Sequence, residues 1–231
     1  MYLRYVNMPC AILYRMLKNL LDYQRLQQTD FTDHKIATEL CEKGFFRARA
    51  KPNDYYYIEK TDPADPGGNH YERTGWKVHI SVARDDVTKA WARIAPLAIN
   101  AGMEIIKVAS PDWLEELSHK PESPQHGKAI VLYDTKDAKV DYQSLLQSIE
   151  DTLATSCRPS VEIKGDKRLQ GSRYLSYVND MDPQGHYIRA KDRQRFAPQM
   201  QPNIYERPDL FADVRIVQRR WMGGGESLSK G

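Results

Sequence analysis

The sequence predicts an α+β domain, on three observations. Stretches with a two-residue apolar period and stretches with a three-to-four-residue period alternate along the middle of the chain. The chain has 231 residues, enough for one large domain or two small ones. Its hydrophobic fraction is 41% against 28% charged residues, sufficient for a single core and ordinary for a globular protein. The expected architecture is one domain, with a mixed or antiparallel sheet and flanking helices. A helical segment at 1–50 belongs to that domain, an α+β body follows at 51–215, and a flexible tail closes the chain at 216–231.

Each element has its own reason. Ile12, Leu13, Met16, Leu17, Leu20 and Leu21 recur at helical spacing and make one apolar stripe. Asp33 can cap a second short helix, with Ile36, Ala37 and Leu40 inward and Gly44 as its stop. Residues 54–60 (DYYYIEK) read as a strand, and 61–70 (TDPADPGGNH) as a loop. Residues 76–82 (WKVHISV) alternate strictly. Asp85 or Asp86 can start a helix that runs to about Asn100 before Gly102, with a kink or break at Pro96. Residues 103–108 are a short strand, 110–127 a long polar loop, 128–134 a strand and 141–155 a helix with Tyr142, Leu145, Leu146, Ile149 and Leu153 on one face. Two further strands are expected at 160–164 and 173–178. The β-α-β-β-α-β order from 76 to 164 matches a split βαβ layout.

Several function classes are excluded. There is no G-x-x-x-x-G-K-[ST] loop, no H-E-x-x-H, no G-x-S-x-G and no G-x-G-x-x-G after a strand. The six histidines contain no i, i+4 pair, so a metal site has little support. Three distant cysteines form no disulfide framework and fit a reducing compartment. No apolar run is long enough to span a membrane. The apolar residues 8–14 are followed at once by Arg15 and Lys18, which argues against a Sec signal. Residues 157–220 hold 13 Lys+Arg against 8 Asp+Glu, while the remainder holds 21 against 23. An anionic partner can sit against that basic third. The net charge of +3 argues against broad nucleic-acid binding.

The alternation at 76–82 sends Trp76, Val78, Ile80 and Val82 to one face and Lys77, His79 and Ser81 to the other. Lys77 and His79 then stand side by side, roughly 7 Å apart at the backbone. Spacing alone fits the solvated face of an edge strand as well as an acid–base pair. Lys107 lies in an apolar strand in phase with Met103 and Ile105. Desolvation there favours the neutral amine and suits a general base, although a lysine snorkelling from a strand end fits too. Aromatic and basic residues mix at 173–195, as a phosphate surface or a solvated basic face.

KVHISVARD (77–85) resembles the K-[FV]-H-I-S-V-x-R-D segment of the OspF/SpvC phosphothreonine lyases, bacterial effectors injected into host cells. GFFRAR (44–49), KAIVLYD (128–134) and YLSYVND (174–180) resemble further segments of that family in the same order, so the similarity spans about 44–190. GWKVHIS (75–81) and the Gly127-Lys128 step resemble the related lyase domains of lanthipeptide synthetases. The resemblance implies β-elimination of phosphate from phosphothreonine, with no metal or cofactor. It implies Lys107 as the base on Cα, His79 as the acid on the departing oxygen, Lys77 as a charge-holding neighbour and Tyr133 at the same site. The implied partner is a phosphorylated protein or peptide, with neither nucleic acid nor membrane involved.

Two departures accompany the resemblance. Val178 stands where the family has an arginine after the Ser-Tyr pair, with Arg173 or Arg189 as candidate replacements. Residues 108–132 contain no arginine, which leaves Lys120, His126 or Lys128 for the other phosphate contact. An effector would work in a host cytosol on kinases phosphorylated in their activation loops, and a biosynthetic lyase would work in the producing cytoplasm on a precursor peptide. Arg15 to Leu21 is a weak docking segment that also reads as a core helix. A non-catalytic phosphopeptide-binding module is the alternative of a different class.

Overall fold

Two strands of nearly unbroken apolar character set the centre of the sheet. In the computed structural model, β5 (Ile105–Ala109) and β6 (Ile130–Thr135) are buried along their whole length. Such strands are covered on both faces. The structure describes residues 21–28, 37–41, 44–50, 54–62, 64–65, 68, 71–181, 186–188 and 209–218. The stripe Ile12 to Leu20, the docking candidate before Leu21, Arg189 and most of the expected tail lie outside them.

The other described strands are β1 (Ala37–Cys41), β2 (Gly44–Ala50), β3 (Tyr55–Thr61), β4 (Arg73–Ile80), β7 (Lys167–Arg168) and β8 (Leu175–Asn179). All eight form one sheet in the order β1-β2-β3-β5-β6-β4-β8-β7, and every neighbouring pair is antiparallel. The fold class is therefore α+β. Strands β8-β4-β6-β5 reproduce the order of a split βαβ layout. Its fourth strand is β8 rather than residues 160–164. There Val161 is exposed and Ile163 is the one buried side chain, so the V-x-I alternation is not matched by a partner strand.

The two longest helices cover one face. Among the described residues, α1 is Tyr23–Gln28, α2 Val87–Asn100, α3 Pro111–Ser118 and α4 Tyr142–Ala154. Trp91, Ile94 and Ile99 of α2 pack with Leu146, Ile149 and Leu153 of α4 against Val78, Ile80, Ile106, Val108 and Leu132 of the sheet. Pro96 does not break α2. The carbonyl that its missing N–H would have bonded belongs to Ala92, on the solvent side, where water can satisfy it. Asp86 is the N-cap by position, but its carboxylate accepts from the Arg158 backbone and side chain instead of from the helix.

Two expectations fail for local reasons. Residues 37–41 and 44–50 pair as the antiparallel strands β1 and β2 and form no helix. Three apolar positions at helical spacing are too few to outweigh the strand-forming GFFRARA run, which pairs with β3 over six residues. Within 110–127, the expected polar loop begins with α3. Ser110 caps it by accepting from the Trp113 N–H, and Pro111 occupies the first turn. Ser-Pro-Asp is a helix-start signal that the polar composition obscured. At the other end, Phe211, Val214 and Ile216 return to the core, so packing continues past the expected tail boundary. No helix among the described residues is long and apolar enough to cross a membrane.

Candidate active site

The side chains of interest share the sheet face away from α2 and α4. Strand register builds this face in rows. One row runs Tyr57, Lys107, Val131, His79, Ser176 across β3, β5, β6, β4 and β8. The next runs Glu59, Ile105, Tyr133, Lys77, Val178. Lys107, His79, Lys77 and Tyr133 therefore fall within two rows and three strands. The edge-strand reading of Lys77 and His79 is removed, because β4 lies between β6 and β8 and both side chains are buried.

Lys107 sits among tyrosines. Its Nζ lies 3.7 Å from the centroid of the Tyr55 ring, 5.5 Å from that of Tyr57 and 5.7 Å from that of Tyr133. The aromatic faces attract a cation, but burial opposes the charge more strongly. Burial first, then the Lys77 charge, push the amine well below the ordinary lysine range; Lys128 and Arg73 add to this and Asp54 opposes it. Among the described residues no carboxylate forms an ion pair with Lys107. The site thus holds an amine poised to accept a proton. Burial pushes Tyr133 well above its usual range, so its hydroxyl stays a donor.

His79 is buried at 1% exposure and its Nδ1 bonds the Asp166 carboxylate. Burial and then Lys128 press the ring toward the neutral form, while Asp166 pulls the other way. Burial would raise Asp166, but His79, Lys128 and the Ser176 hydroxyl together hold it at about 2. The carboxylate is therefore ionised, accepts a hydrogen bond from the Nδ1–H of the ring, and leaves Nε2 as the nitrogen that meets a ligand. Ser176 Oγ donates to Asp166 Oδ2 at 3.0 Å, and Lys128 Nζ stands 3.9 Å from Oδ1. Lys77 pairs with the buried Asp180.

Backbone geometry delivers two of these groups. Gly127, at φ +85°, turns the chain into β6 where a Cβ would lie 3.0 Å from Val161 Cγ2, and Lys128 follows it into the interior. In β4 the register to β6 shifts between Arg73 and Lys77, around Gly75 at φ +91°. A Cβ on Gly75 would lie 2.3 Å from Asn179 Oδ1, so this irregularity needs glycine.

The phosphate-contact candidates separate clearly. Lys128 joins the site. Lys120 is exposed and pairs with Glu116, and His126 bonds the Leu117 carbonyl oxygen, so neither is placed in it. Arg173 is a correction: its Nε lies 3.7 Å from Glu150 of α4 and its guanidinium 5.4 Å from the Tyr174 ring, on the helical side. The cause is position, since Arg173 precedes β8 and turns toward α4. Arg189 lies outside the described residues. Val178, directly opposite Lys77, gives the site an apolar side chain where the resembled family has an arginine.

Sequence reasoning missed Asp166, Asp180, Tyr55, Tyr57 and Arg73. Tyr55 and Tyr57 were available from the period-two phase of β3 once that strand is set beside β5. Asp166 carries no sequence signal, and Asp180, although it ends the YLSYVND segment, shows its partner only through the β4–β8 pairing. Asp166→Ala leaves Lys128 and His79 buried without this carboxylate and is expected to cost about 3–5 kcal/mol, as loss of one partner of a buried charged pair does. Chemical denaturation of the two proteins checks this.

The comparisons agree with this architecture. The family model described as RamC, N-terminal domain, matches residues 52–195. A variant of the Salmonella plasmid virulence C protein (SpvC) shares the fold at TM-score 0.54 and 18% identity, covering 80% of this chain and 83% of that one. A structure of a phosphothreonine lyase does so at TM-score 0.52 and 18% identity, covering 85% and 95%. A second phosphothreonine lyase structure gives 0.53 and 16%, covering 85% and 92%. No curated protein matches by sequence. At these identities the solved structures show the fold. With the family model matched over well more than half of its length, this chain belongs to the RamC N-terminal domain family.

Proposed function

We propose that the chain is a phosphothreonine/phosphoserine lyase, a carbon–oxygen lyase that removes phosphate from a phosphorylated protein or peptide by β-elimination. The observation that carries this is the row Lys107–Val131–His79. It sets an amine, whose hold on its proton burial weakens, two strands, roughly 9.5 Å at the backbone, from an imidazole backed by a carboxylate. A phosphorylated residue laid over Val131 presents its Cα to one and its ester oxygen to the other.

Lys107 takes the Cα proton. The electron pair of that C–H bond becomes the Cα=Cβ double bond as the Cβ–O bond breaks. His79 gives its Nε2 proton to the departing phosphate oxygen. A phosphate dianion counters the Lys128 and Lys77 charges that add to burial in pushing the ring down, so its binding favours the protonated imidazole. Lys77, Lys128 and the Tyr133 hydroxyl surround the developing charge. Acid–base assistance supplies about 10²–10⁴-fold, and these preorganised groups supply much of the rest.

Incubation with a phosphothreonine peptide tests the reading. An unsaturated product that adds a thiol supports it. Peptide bound tightly and recovered intact would make the chain a phosphopeptide-binding module instead. The pH profile gives a second expectation. Activity rises with pH as Lys107 loses its proton, with an apparent pKa below the ordinary lysine value of about 10.4. Removing the nearby positive charge in Lys77→Met lets Lys107 hold its proton more tightly, so the limb moves to higher pH. A limb that stays in place or moves to lower pH would contradict Lys107 as the titrating base.

The fold shared with a Salmonella virulence protein supports an effector that is secreted into a host cytosol and acts on phosphorylated kinases. The Gly127-Lys128 step, which places Lys128 beside Asp166, supports a lanthipeptide-type biosynthetic lyase acting on a precursor peptide. A kinase phosphorylated in its activation loop, consumed far faster than a short phosphopeptide, favours the effector.

A further inference from the structure

Three cations surround the Tyr133 ring, and they differ in what opposes their charge. Lys77 Nζ is 5.9 Å from the ring centroid, Lys107 Nζ 5.7 Å and the Arg73 guanidinium carbon 4.4 Å. Lys77 stands against Asp180, and Lys128 close by stands against Asp166. Arg47 and Arg49 on β2 both spend their charge on Glu59. Among the described residues, no carboxylate forms an ion pair with Arg73. It lies over Tyr133 and, at 5.7 Å, over Tyr71, and its charge is among those felt by Lys107.

The position is built. Arg73 opens β4 opposite Thr135, and the irregular stretch around Gly75 separates it from Lys77. Arg73 is half-buried, where a charge is felt more strongly than in water. Its charge also extends to Tyr57, while Lys128 and Lys77 are the cations felt by His79.

We propose that Arg73 binds the carbonyl oxygen of the reacting residue and stabilises the negative charge that moves onto it as Lys107 removes the Cα proton. This rests on the lyase reading above. The electron pair of the Cα–H bond is shared with the carbonyl, whose oxygen accepts hydrogen bonds from the guanidinium. The pair then returns to form the Cα=Cβ bond as phosphate leaves with the His79 proton. The geometry fits. The Lys107 and Arg73 groups are separated by no more than the sum of their distances to one ring centroid. An amine contact to Cα of about 3–3.5 Å, a carbonyl group and one hydrogen bond of about 2.9 Å bridge a gap of that size. Such a donor, aimed where charge develops, is typically worth about 10²–10³-fold in kcat.

The test uses the full chain and a phosphothreonine peptide with neutral flanking residues, so that Arg73 has no acidic side chain to bind. Arg73→Gln is compared with wild type and with Arg73→Lys, all checked for equal thermal unfolding. The expected result is a kcat lowered about 10²-fold or more in Arg73→Gln with KM nearly unchanged. Arg73→Lys recovers part of the rate, and the Cα-deuterium isotope effect is at least as large as in wild type. Unchanged kcat, a rise in KM alone, or an isotope effect that falls to unity would overturn the assignment. Loss of rate that merely follows loss of folded protein in both variants would overturn it as well. Absence of product with wild type itself would instead remove the lyase reading, and the Arg73 role with it.

Discussion

Lys107→Ala abolishes elimination while leaving the protein folded and no less stable. The rate effect is that of deleting a positioned general base, about 10²–10⁴-fold. The stability effect has the opposite sign from that of most core truncations. An amine held well below its unfolded-state range costs folding energy at neutral pH, because burial opposes its charged form in the folded chain but not in the unfolded one. In wild type this makes stability rise with pH until the ordinary lysine range is reached. Replacing Lys107 removes both the cost and that part of the slope. Urea unfolding at several pH values, beside the rate assay, reads both. An active variant would end the assignment of Lys107. An inactive variant that is also grossly unfolded would show that Lys107 is structural.

His79→Ala is expected to lower kcat by about 10²–10⁴-fold with KM little changed. The imidazole acts on the leaving oxygen in the transition state, while Lys128 and Lys77 still attract the phosphate. The split between the two constants decides its role: a raised KM with kcat intact would make His79 a phosphate contact and not the acid. The variant also isolates the Asp166–Lys128–Ser176 set, which keeps its mutual contacts when the ring is gone.

Much of the core of this site was legible in the sequence. Strict alternation in WKVHISV separated Lys77 and His79 from Trp76, Val78 and Ile80, and the phase of Lys107 with Ile105 put it on a definite face. What alternation could not give was the lateral neighbour of each strand. Whether β4 was an edge or an interior strand decided between solvent and burial, and that depended on β6 and β8 pairing with it from 50 and 95 residues away. The same non-local pairing brings Asp166 under His79 and Asp180 against Lys77. Arg173 was misplaced because a basic residue next to a strand gives no sign of which way it turns. Its neighbour Tyr174 enters the helical side of the core and takes Arg173 toward Glu150. Short elements failed where two periods compete over few residues, as at Ala37–Cys41. They also failed where polar composition hid a capped helix, as at Pro111–Ser118.

The central claim is proton removal from Cα coupled to loss of phosphate. It is tested most directly by the mass of the product formed from a peptide whose phosphothreonine carries deuterium at Cα. The account predicts a product that has lost both the phosphate and the deuterium. A dephosphorylated threonine peptide that retains its deuterium, or a phosphopeptide recovered intact, would contradict it.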